Sequence, residues 1–467
     1  MLILLYVMDS LRHDFLSCYG YPKRTSPNID RLAEEGVMFT HVFAQSTWTR
    51  PSAASILSST YPSIHGVFTV EDYPRPGVQM LPEPLRRAGF RTVAVSSLGN
   101  VSPDFGFGRG FDHFVELYKD QTLLETRQRL RIGGSENDYG VHFKVDSEYV
   151  PIATSEDINQ SLKPFLQECR DSNLFIFTWS MDTHNPYFQR DPRTPRFHPS
   201  STEILWSKDI QAMRSPEEID RLKACYEEMI YYNDYHLGLL VERLKDLNLY
   251  DDAFLILTGD HGEAFGERGY NSHGGPPFDE QIRVPLIMKF PHAEFRGKVD
   301  GLVQHIDLTP TILEYAGIRP DGMHLQGKSL LPLLHGEAEP NDFVFVEYEL
   351  NKTFPSYIAL RNRQYKYMET RRPRVTLRQW LRAKGRLWPS PWFIYKPTYL
   401  FQLGEDPGEE VNRVDKETKV VRFFHGHMKK MREENSRTAR RFRERKRQKK
   451  PVDEEIAKQL HALGYFD

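Results

Sequence analysis

The sequence is poor in cysteine and has no long hydrophobic run. Its three cysteines, Cys18, Cys169 and Cys225, are too few and too scattered among 467 residues for a disulfide framework or a cysteine-based metal site. No segment approaches the roughly 18 apolar residues in a row that a membrane-spanning helix needs. The opening residues MLILLYVMDS lack the basic start and the cleavage-site pattern of a signal peptide, so the default expectation is a cytoplasmic protein.

An overall excess of one charge is also missing. The chain has 62 Lys and Arg against 64 Asp and Glu, a formal net charge of -2, which argues against a protein built wholly to bind nucleic acid. Base-reading chemistry is absent as well. The charge is nevertheless uneven, because residues 429–450 contain twelve Lys or Arg against three Glu. Such a run is usually a solvated helix or tail, and it leaves peripheral contact with an anionic membrane open.

Apolar strands and amphipathic helices alternate along the first 340 residues. Residues 2–8 and 253–258 are continuous apolar runs, typical of strands buried on both faces of a sheet. Residues 217–245 predict one long amphipathic helix whose capping pattern, SPEE, starts at Ser215. This alternation predicts an α/β fold. After about residue 340 the strands become short and mixed, which is typical of a small antiparallel sheet.

The expected organisation therefore has three parts. Residues 1–340 are expected to form the α/β domain, residues 341–414 a C-terminal antiparallel subdomain, and residues 415–467 a basic helical tail. Within the subdomain, residues 371–397 are an Arg- and Trp-rich insertion that contains Trp380, Trp388 and Trp392. We expect this insertion to be a packed surface lobe, with an interfacial or glycan-stacking flap as the alternative.

A short turn near residue 49 is the most informative local pattern. The segment QSTWTRPSAAS brings the Thr49 hydroxyl to the start of a helix, and Pro51 lies where a first helical turn tolerates it. Free backbone N–H groups and the helix dipole make that position suitable for a phosphate or sulfate oxygen. Taken alone, Thr49 is more simply an ordinary helix cap. Other residues of the chain favour the functional interpretation.

Three residues that follow apolar strands predict a metal site beside Thr49. Asp9 ends the first strand, and Asp260 and His261 end a later one. Because parallel strands bring their carboxyl ends to one edge of a sheet, these residues can meet although about 250 positions separate them. Two carboxylates, an imidazole and a hydroxyl suit one divalent ion, Mg²⁺, Mn²⁺, Ca²⁺ or Zn²⁺. The predicted metal ligands are Asp9, Thr49, Asp260 and His261.

Further polar residues complete the predicted site. His184 and His273 are expected to act on the leaving group as proton donors or as clamps on its oxygens. Asn100 follows a strand and is expected to donate to the same oxygens. Glu263 is expected to orient His261. His65, in YPSIHG, is expected to be structural.

Taken together, these motifs resemble the sulfatase family of the alkaline phosphatase superfamily. The matching segments follow the family's order almost from end to end: VMDSLRHDFLSCYGY, TSPNIDRLAEEGVMF, TWTRPSAAS, YPSIHG, GFRTVAVSS, MDTHNPY, ILTGDHGEAFGERG, VPLI, HIDLTPTILEYAGI, QGKSLLPLLHG, YLFQLGEDPGEEVN and LHALGYFD. The resemblance implies a large mixed sheet sandwiched by helices, followed by a small C-terminal antiparallel sheet. It also implies an ester hydrolase.

The chain departs from the family pattern at three positions. Sulfatases carry Cys or Ser, oxidised to formylglycine, where this chain has Thr49, and Arg where it has Ala53. Threonine cannot become that aldehyde, so the resemblance implies a branch that forms a phosphothreonine. Many members have Asp at the position of Ser10, and one carboxylate fewer favours a single metal ion. Arg50 is expected to bind the substrate anion in place of the missing arginine.

The expected function is therefore a metal-dependent hydrolase of phosphate or, less favoured, sulfate esters, including phosphodiesters, with Thr49 as the nucleophile. The expected substrate is a small-molecule, glycan or lipid-head-group ester. A transferase of the phosphoethanolamine or phosphoglycerol type is the first alternative. The second is a binding protein that keeps the fold without turnover.

Overall fold

The computed structural model describes residues 1–120, 142–145, 148–151, 153–168, 172–187, 197, 205, 213–349, 355–371, 398–442 and 452–463. Within these ranges, none of the helices combines the length and the apolar character needed to cross a membrane. The insertion at residues 371–397, apart from Arg371, and the basic residues 443–450 lie outside the described residues. The predictions for Trp380, Trp388 and Trp392 therefore stay predictions.

The strands are numbered here in chain order. They are β1 Leu2–Met8, β2 Val37–Phe43, β3 Arg91–Ser96, β4 His113–Glu116, β5 His142–Val145, β6 Glu148–Pro151, β7 Leu174–Ser180, β8 Ala253–Gly259, β9 Ala264–Phe265, β10 Asn271–Ser272, β11 Arg283–Lys289, β12 Gly297–Gln304, β13 Val344–Tyr348, β14 Ser356–Arg361, β15 Tyr365–Arg371 and β16 Thr398–Gln402.

The α-helices are numbered in the same way. They are α1 Pro27–Glu35, α2 Thr49–Ser58, α3 Pro62–His65, α4 Pro82–Arg87, α5 Ser155–Gln167, α6 Pro216–Asp246, α7 Asp279–Ile282, α8 Leu308–Tyr315, α9 Leu331–Leu334, α10 Thr418–Arg441 and α11 Glu454–Ala462. The predicted long helix is α6, and Ser215 caps it through a box with Glu218, as the SPEE pattern indicates.

The main sheet has eight strands in the order β12-β2-β11-β8-β1-β7-β3-β4. Strand β11 runs antiparallel to both of its neighbours, and the other pairs are parallel, so the sheet is mixed. The central strand β1 lies between β8 and β7, and its seven residues are all buried. A strand that is covered on both faces needs apolar residues at every position, which explains the uninterrupted run LILLYVM.

Helices cover both faces of this sheet. Alternate residues of β1 point into two separate hydrophobic clusters, Ile3, Leu5 and Val7 into one and Leu2, Leu4 and Tyr6 into the other. The first cluster contains residues of α2, α8 and α11, and the second contains residues of α1, α5 and α6. This arrangement confirms the predicted large mixed sheet between helices.

A second, four-stranded antiparallel sheet has the order β13-β14-β15-β16. One of its faces packs against α10 through Phe424 and Met428, and the other packs against Phe43 and Trp48 of the main body. The predicted small C-terminal sheet is thereby confirmed. The segment expected to be a basic tail contains α10 and α11, and α11 returns to the main core, where Ile456 and Leu460 are fully buried.

Candidate active site

The strand ends place the two predicted carboxylates side by side. Met8, the last residue of β1, pairs with Gly259 at the end of β8 and with Ser180 at the end of β7. Asp9 directly follows Met8 of β1, and Asp260 directly follows Gly259 of β8. Both aspartates are fully buried. Equal register at the strand ends therefore brings together two residues that are far apart in sequence.

Thr49 is the first residue of α2 and lies within reach of these groups. Its Oγ1 is 3.4 Å from Asp9 Oδ2 and 3.3 Å from His261 Nε2. Trp48 occupies the cap position before it, so Thr49 is not the capping residue of α2. Three separated parts of the chain thus meet around one hydroxyl at the N-terminus of a ten-residue helix.

Asp9, Asp260 and His261 fit a divalent metal ion. One ligand atom from each lies within 4.8 Å of the others. The His261 Nδ1–H donates to the carbonyl oxygen of Gly262 at 2.8 Å, and burial lowers the pKa of this imidazole to about 3, so the neutral ring has its lone pair on Nε2. The Nε2 atom lies 3.2 Å from Asp260 Oδ2. This oxygen has no hydrogen-bond partner among the described residues.

Two buried acceptor atoms that face each other need a cation or a proton between them. Burial and the neighbouring Asp9 raise the pKa of the Asp260 carboxyl well above its usual range. A bound divalent ion would offset the repulsion between Asp260 and Asp9. Two carboxylates and one imidazole are suitable ligands for such an ion.

Backbone and side-chain donors orient the two carboxylates. The indole Nε1–H of Trp179 donates to Asp9 Oδ2 at 2.9 Å. The backbone N–H of Ser10 donates to Asp260 Oδ1 at 2.9 Å, and the Ser10 hydroxyl donates to Asp9 Oδ1 at 3.0 Å. Ser10 therefore supplies one donor to each of the two carboxylates.

His184 and His273 form a row with His261. The ring centroids of His184 and His273 are 4.8 Å apart, and those of His273 and His261 are 4.5 Å apart. Burial lowers the pKa of His273 to about 3, and the neighbouring His184 adds to the effect. Both predicted catalytic histidines therefore lie at the site, although their roles stay predictions.

The prediction for Glu263 is wrong. Its Oε2 lies 3.1 Å from His273 Nδ1 and accepts the Tyr187 hydroxyl at 2.6 Å, so Glu263 orients His273. His261 is oriented instead by its Nδ1–H, which donates to the Gly262 carbonyl. Burial raises the pKa of Glu263 to about 7.

Arg50 and Asn100 bind each other. Arg50 Nη2–H donates to Asn100 Oδ1 at 2.7 Å, Nη1–H donates to the Val70 carbonyl, and the guanidinium carbon lies 3.4 Å from the centre of the Phe105 ring. The Nδ2 of Asn100 has no hydrogen-bond partner among the described residues, although it is buried. Ala53 packs into the main core.

Some of the site's residues were not found by sequence reasoning. Trp179 lies within an apolar strand and Tyr187 follows the MDTHNP motif, and neither carries a local sign that it binds a carboxylate. His65, in contrast, fits its predicted structural role, because Val67 N–H donates to Nδ1 at 3.1 Å and Ser55 Oγ lies 3.1 Å from Nε2.

Comparison with known proteins assigns the family. The family described as sulfatase matches residues 2–318, and the one described as the C-terminal part of N-sulphoglucosamine sulphohydrolase matches residues 274–374. The first match covers more than half of the chain. The chain therefore belongs to the sulfatase family of ester hydrolases.

Curated relatives agree with this assignment, and solved structures share the fold. The chain is 24% identical over 375 residues to an ulvan-active sulfatase of Formosa agariphila, an alignment that covers 78% of this chain and 65% of that protein. It is 26% identical over 385 residues to a choline-sulfatase of Rhizobium meliloti, with 73% of each chain covered. The phosphonate monoester hydrolase of Agrobacterium radiobacter shares the fold, with a TM-score of 0.70, 20% identity, and 93% and 95% of the two chains covered.

Proposed function

We propose that this protein is a metal-dependent hydrolase of phosphate esters, with sulfate esters as less favoured substrates, in which Thr49 is the nucleophile. The observation that carries the proposal is the position of Thr49 Oγ1, 3.4 Å from Asp9 Oδ2 and 3.3 Å from His261 Nε2 at the start of α2. An ion held by Asp9, Asp260 and His261 would lower the pKa of the hydroxyl and offset the charge of the transferring group.

The residues of the chain supply the remaining steps. Thr49 Oγ1 attacks phosphorus and forms a Thr49 phosphoester, and Asp9 Oδ2, to which the hydroxyl already donates, is placed to take its proton. The leaving alkoxide takes a proton from His273 or His184. Burial lowers the pKa of His273 in the free protein, and the negative charge of the bound ester, together with Glu263 at His273 Nδ1, would favour the protonated ring that donates this proton. Water then cleaves the bond between phosphorus and Thr49 Oγ1 as the same histidine, now neutral, removes the proton from the water. Thr49 Oγ1 leaves and takes back the proton that Asp9 received in the first step.

We assign the Asn100 amide to the substrate anion. Asn100 Nδ2 is a buried N–H group without a partner among the described residues, and Arg50 holds the amide so that this nitrogen is available. The backbone N–H groups at the start of α2 add further donors. Preorganised donors of this kind account for much of the rate enhancement in group transfer.

The choice of phosphorus over sulfur esters rests on the nucleophile. A sulfate ester of threonine lacks the aldehyde hydrate that expels sulfate in formylglycine enzymes, whereas a phosphothreonine can be released by water. The likeness in fold to a phosphonate monoester hydrolase supports this choice. The proposed substrates include phosphate monoesters, phosphodiesters and phosphonate monoesters, and the proposed location remains the cytoplasm.

The test is a comparison of aryl phosphate monoester, phosphodiester, phosphonate monoester and sulfate ester, each with Mn²⁺, Zn²⁺, Ca²⁺ and Mg²⁺. Thr49→Ala is expected to reduce kcat by at least about 1,000-fold, because no nucleophile remains. The control is Ser58→Ala, since Ser58 is a buried hydroxyl at the far end of α2 that donates to the Ala54 carbonyl. Its activity should match the wild type.

Each other outcome has a definite meaning. Full turnover by Thr49→Ala would overturn the nucleophile, and faster cleavage of the sulfate ester would overturn the substrate class. Preferential transfer to added glycerol or ethanolamine would identify a transferase. Ion binding without turnover on any ester would identify a binding protein.

A further inference from the structure

The C-terminal helix α11 reaches the segment that carries Asn100. Gln459 is fully buried, and its Oε1 accepts the backbone N–H of Gly99 at 2.6 Å. Its Nε2–H donates to the backbone carbonyl of Ser97 at 3.2 Å. One side chain thus binds both ends of a three-residue backbone stretch that lies about 360 positions away in sequence.

The helix packs closely against this stretch at Gly99. A Cβ atom at position 99 would lie 2.8 Å from Gln459 Oε1 and 3.1 Å from Ile456 Cγ2. Ile456 and Leu460, on either side of Gln459, are buried in the main core and hold the helix in place. The hydrogen bonds of Gln459 are therefore supported by an apolar anchor on the same helix.

The stretch that Gln459 binds joins the two halves of the site. On one side, the Ser97 hydroxyl donates to the Trp179 carbonyl at 2.9 Å and accepts the Met181 N–H at 2.9 Å, and the Trp179 indole binds Asp9. On the other side, Asn100 directly follows Gly99 and accepts from Arg50. Since the segment 97–100 belongs to no helix or strand, its path depends on such side-chain contacts.

We propose that Gln459 is a positioning residue for anion binding, which holds the backbone of Ser97 and Gly99 so that the Asn100 amide faces the substrate anion. The proposal rests on the proposed function, because it assigns Asn100 to the anion. It extends the active site to the last helix described in the chain. Gln459 itself does not touch the substrate.

The test uses the full-length protein, loaded with Mn²⁺, and orthophosphate as the probe. Gln459→Met keeps the length of the side chain and removes both hydrogen bonds. We expect the Kd for orthophosphate to rise about tenfold, because a small displacement of a positioned donor has effects of this size. The KM for the ester substrate should rise with it, while the Kd for Mn²⁺ should change by less than about twofold, since Asp9, Asp260 and His261 lie on other segments.

Two further variants separate positioning from folding. Gln459→Glu keeps an acceptor for the Gly99 N–H and should recover part of the phosphate affinity. Gln326→Met is the matched control, because Gln326 also binds in two directions, accepting the Tyr61 N–H at 2.9 Å and donating to Asn435 at 2.8 Å. It should lower stability without changing phosphate affinity.

A double variant tests whether Gln459 acts through Asn100. If it does, Asn100→Ala combined with Gln459→Met binds orthophosphate no more weakly than Asn100→Ala alone. The proposal would be overturned if the losses of orthophosphate affinity in the two single variants multiplied in the double variant. It would also be overturned if Gln459→Met bound orthophosphate as tightly as the wild type, or if it lost Mn²⁺ affinity to the same extent. The orthophosphate titration measures binding and needs no turnover. Its result therefore tests the role of Gln459 whether or not Thr49 proves to be the nucleophile.

Discussion

Replacing Asp260 with asparagine is expected to stabilise the ion-free protein. The ligand atoms of Asp9, Asp260 and His261 lie within 4.8 Å of one another, and the three side chains are fully buried. Two like charges at this separation would repel by about 3 kcal/mol at an effective dielectric constant of about 20, and this repulsion helps to raise the pKa of Asp260. Folding of the ion-free protein therefore costs free energy, either as this repulsion or as protonation of Asp260. Asparagine removes this cost, keeps an oxygen for the Ser10 N–H, and offers an N–H to His261 Nε2. Ion-free Asp260→Asn should therefore be about 1–3 kcal/mol more stable than the wild type.

The same substitution should remove most of the stabilisation by a divalent ion. An ion at about 100 times its Kd stabilises the protein that binds it by about 2.7 kcal/mol. The variant lacks one of the two carboxylates and should gain less than about 1 kcal/mol. The two proteins are thus expected to exchange their order of stability when Mn²⁺ replaces chelator.

The assay is equilibrium urea unfolding of both proteins with chelator and with Mn²⁺. Asp307→Asn is the control, because Asp307 is also buried but accepts the N–H groups of Gln304 and Lys328 away from the site. This control should respond to Mn²⁺ like the wild type. Equal gains from Mn²⁺ in wild type and Asp260→Asn, or a less stable ion-free variant, would refute the assignment of Asp260 as a ligand in a carboxylate pair.

Three other substitutions test separate parts of the structure. Glu263→Gln should lower kcat about 10- to 100-fold and leave the Kd for Mn²⁺ unchanged, because Glu263 binds a histidine outside the metal cluster; a parallel loss of Mn²⁺ affinity would contradict this. Burial lowers the pKa of His65 to about 3. Between about pH 6.5 and pH 3 the unfolded chain therefore binds a proton at this residue that the folded chain does not. As the pH is lowered through this range, the free energy of unfolding decreases by about 1.4 kcal/mol per pH unit. His65→Gln should remove that part of the slope in urea unfolding between pH 4 and 6, and an unchanged slope would exclude it. Lys366→Met should cost about 3–5 kcal/mol in urea unfolding, because the buried ammonium lies 2.6 Å from both Asp279 and Glu409; a cost below about 1 kcal/mol would show that it does not neutralise them.

Local sequence patterns were sufficient for the elements and for most of the site residues. The apolar run LILLYVM predicted β1, and SPEE predicted the start of α6, because burial on two faces and helix capping depend on neighbouring residues. Strand ends predicted the meeting of Asp9 and Asp260, since the polarity of a parallel sheet brings such ends to one edge. The order of the family's motifs added the overall fold.

Partners that depend on the direction of a side chain could not be predicted in this way. Glu263 lies two residues after His261, yet it turns toward His273, because the Gly262 carbonyl already binds the nearer ring. Likewise, nothing near Trp179 in the sequence shows that its indole donates to Asp9.

Residue patterns alone were therefore enough to predict the family, the α/β fold and the residues that cluster at the sheet edge. Three-dimensional packing was needed to show that Glu263 holds His273, that Arg50 and Asn100 pair, and that Gln459 from the last described helix binds the backbone beside the site. The physical reason is that strands and caps follow from residues close in sequence, whereas these hydrogen bonds join side chains whose directions are set by packing between distant segments.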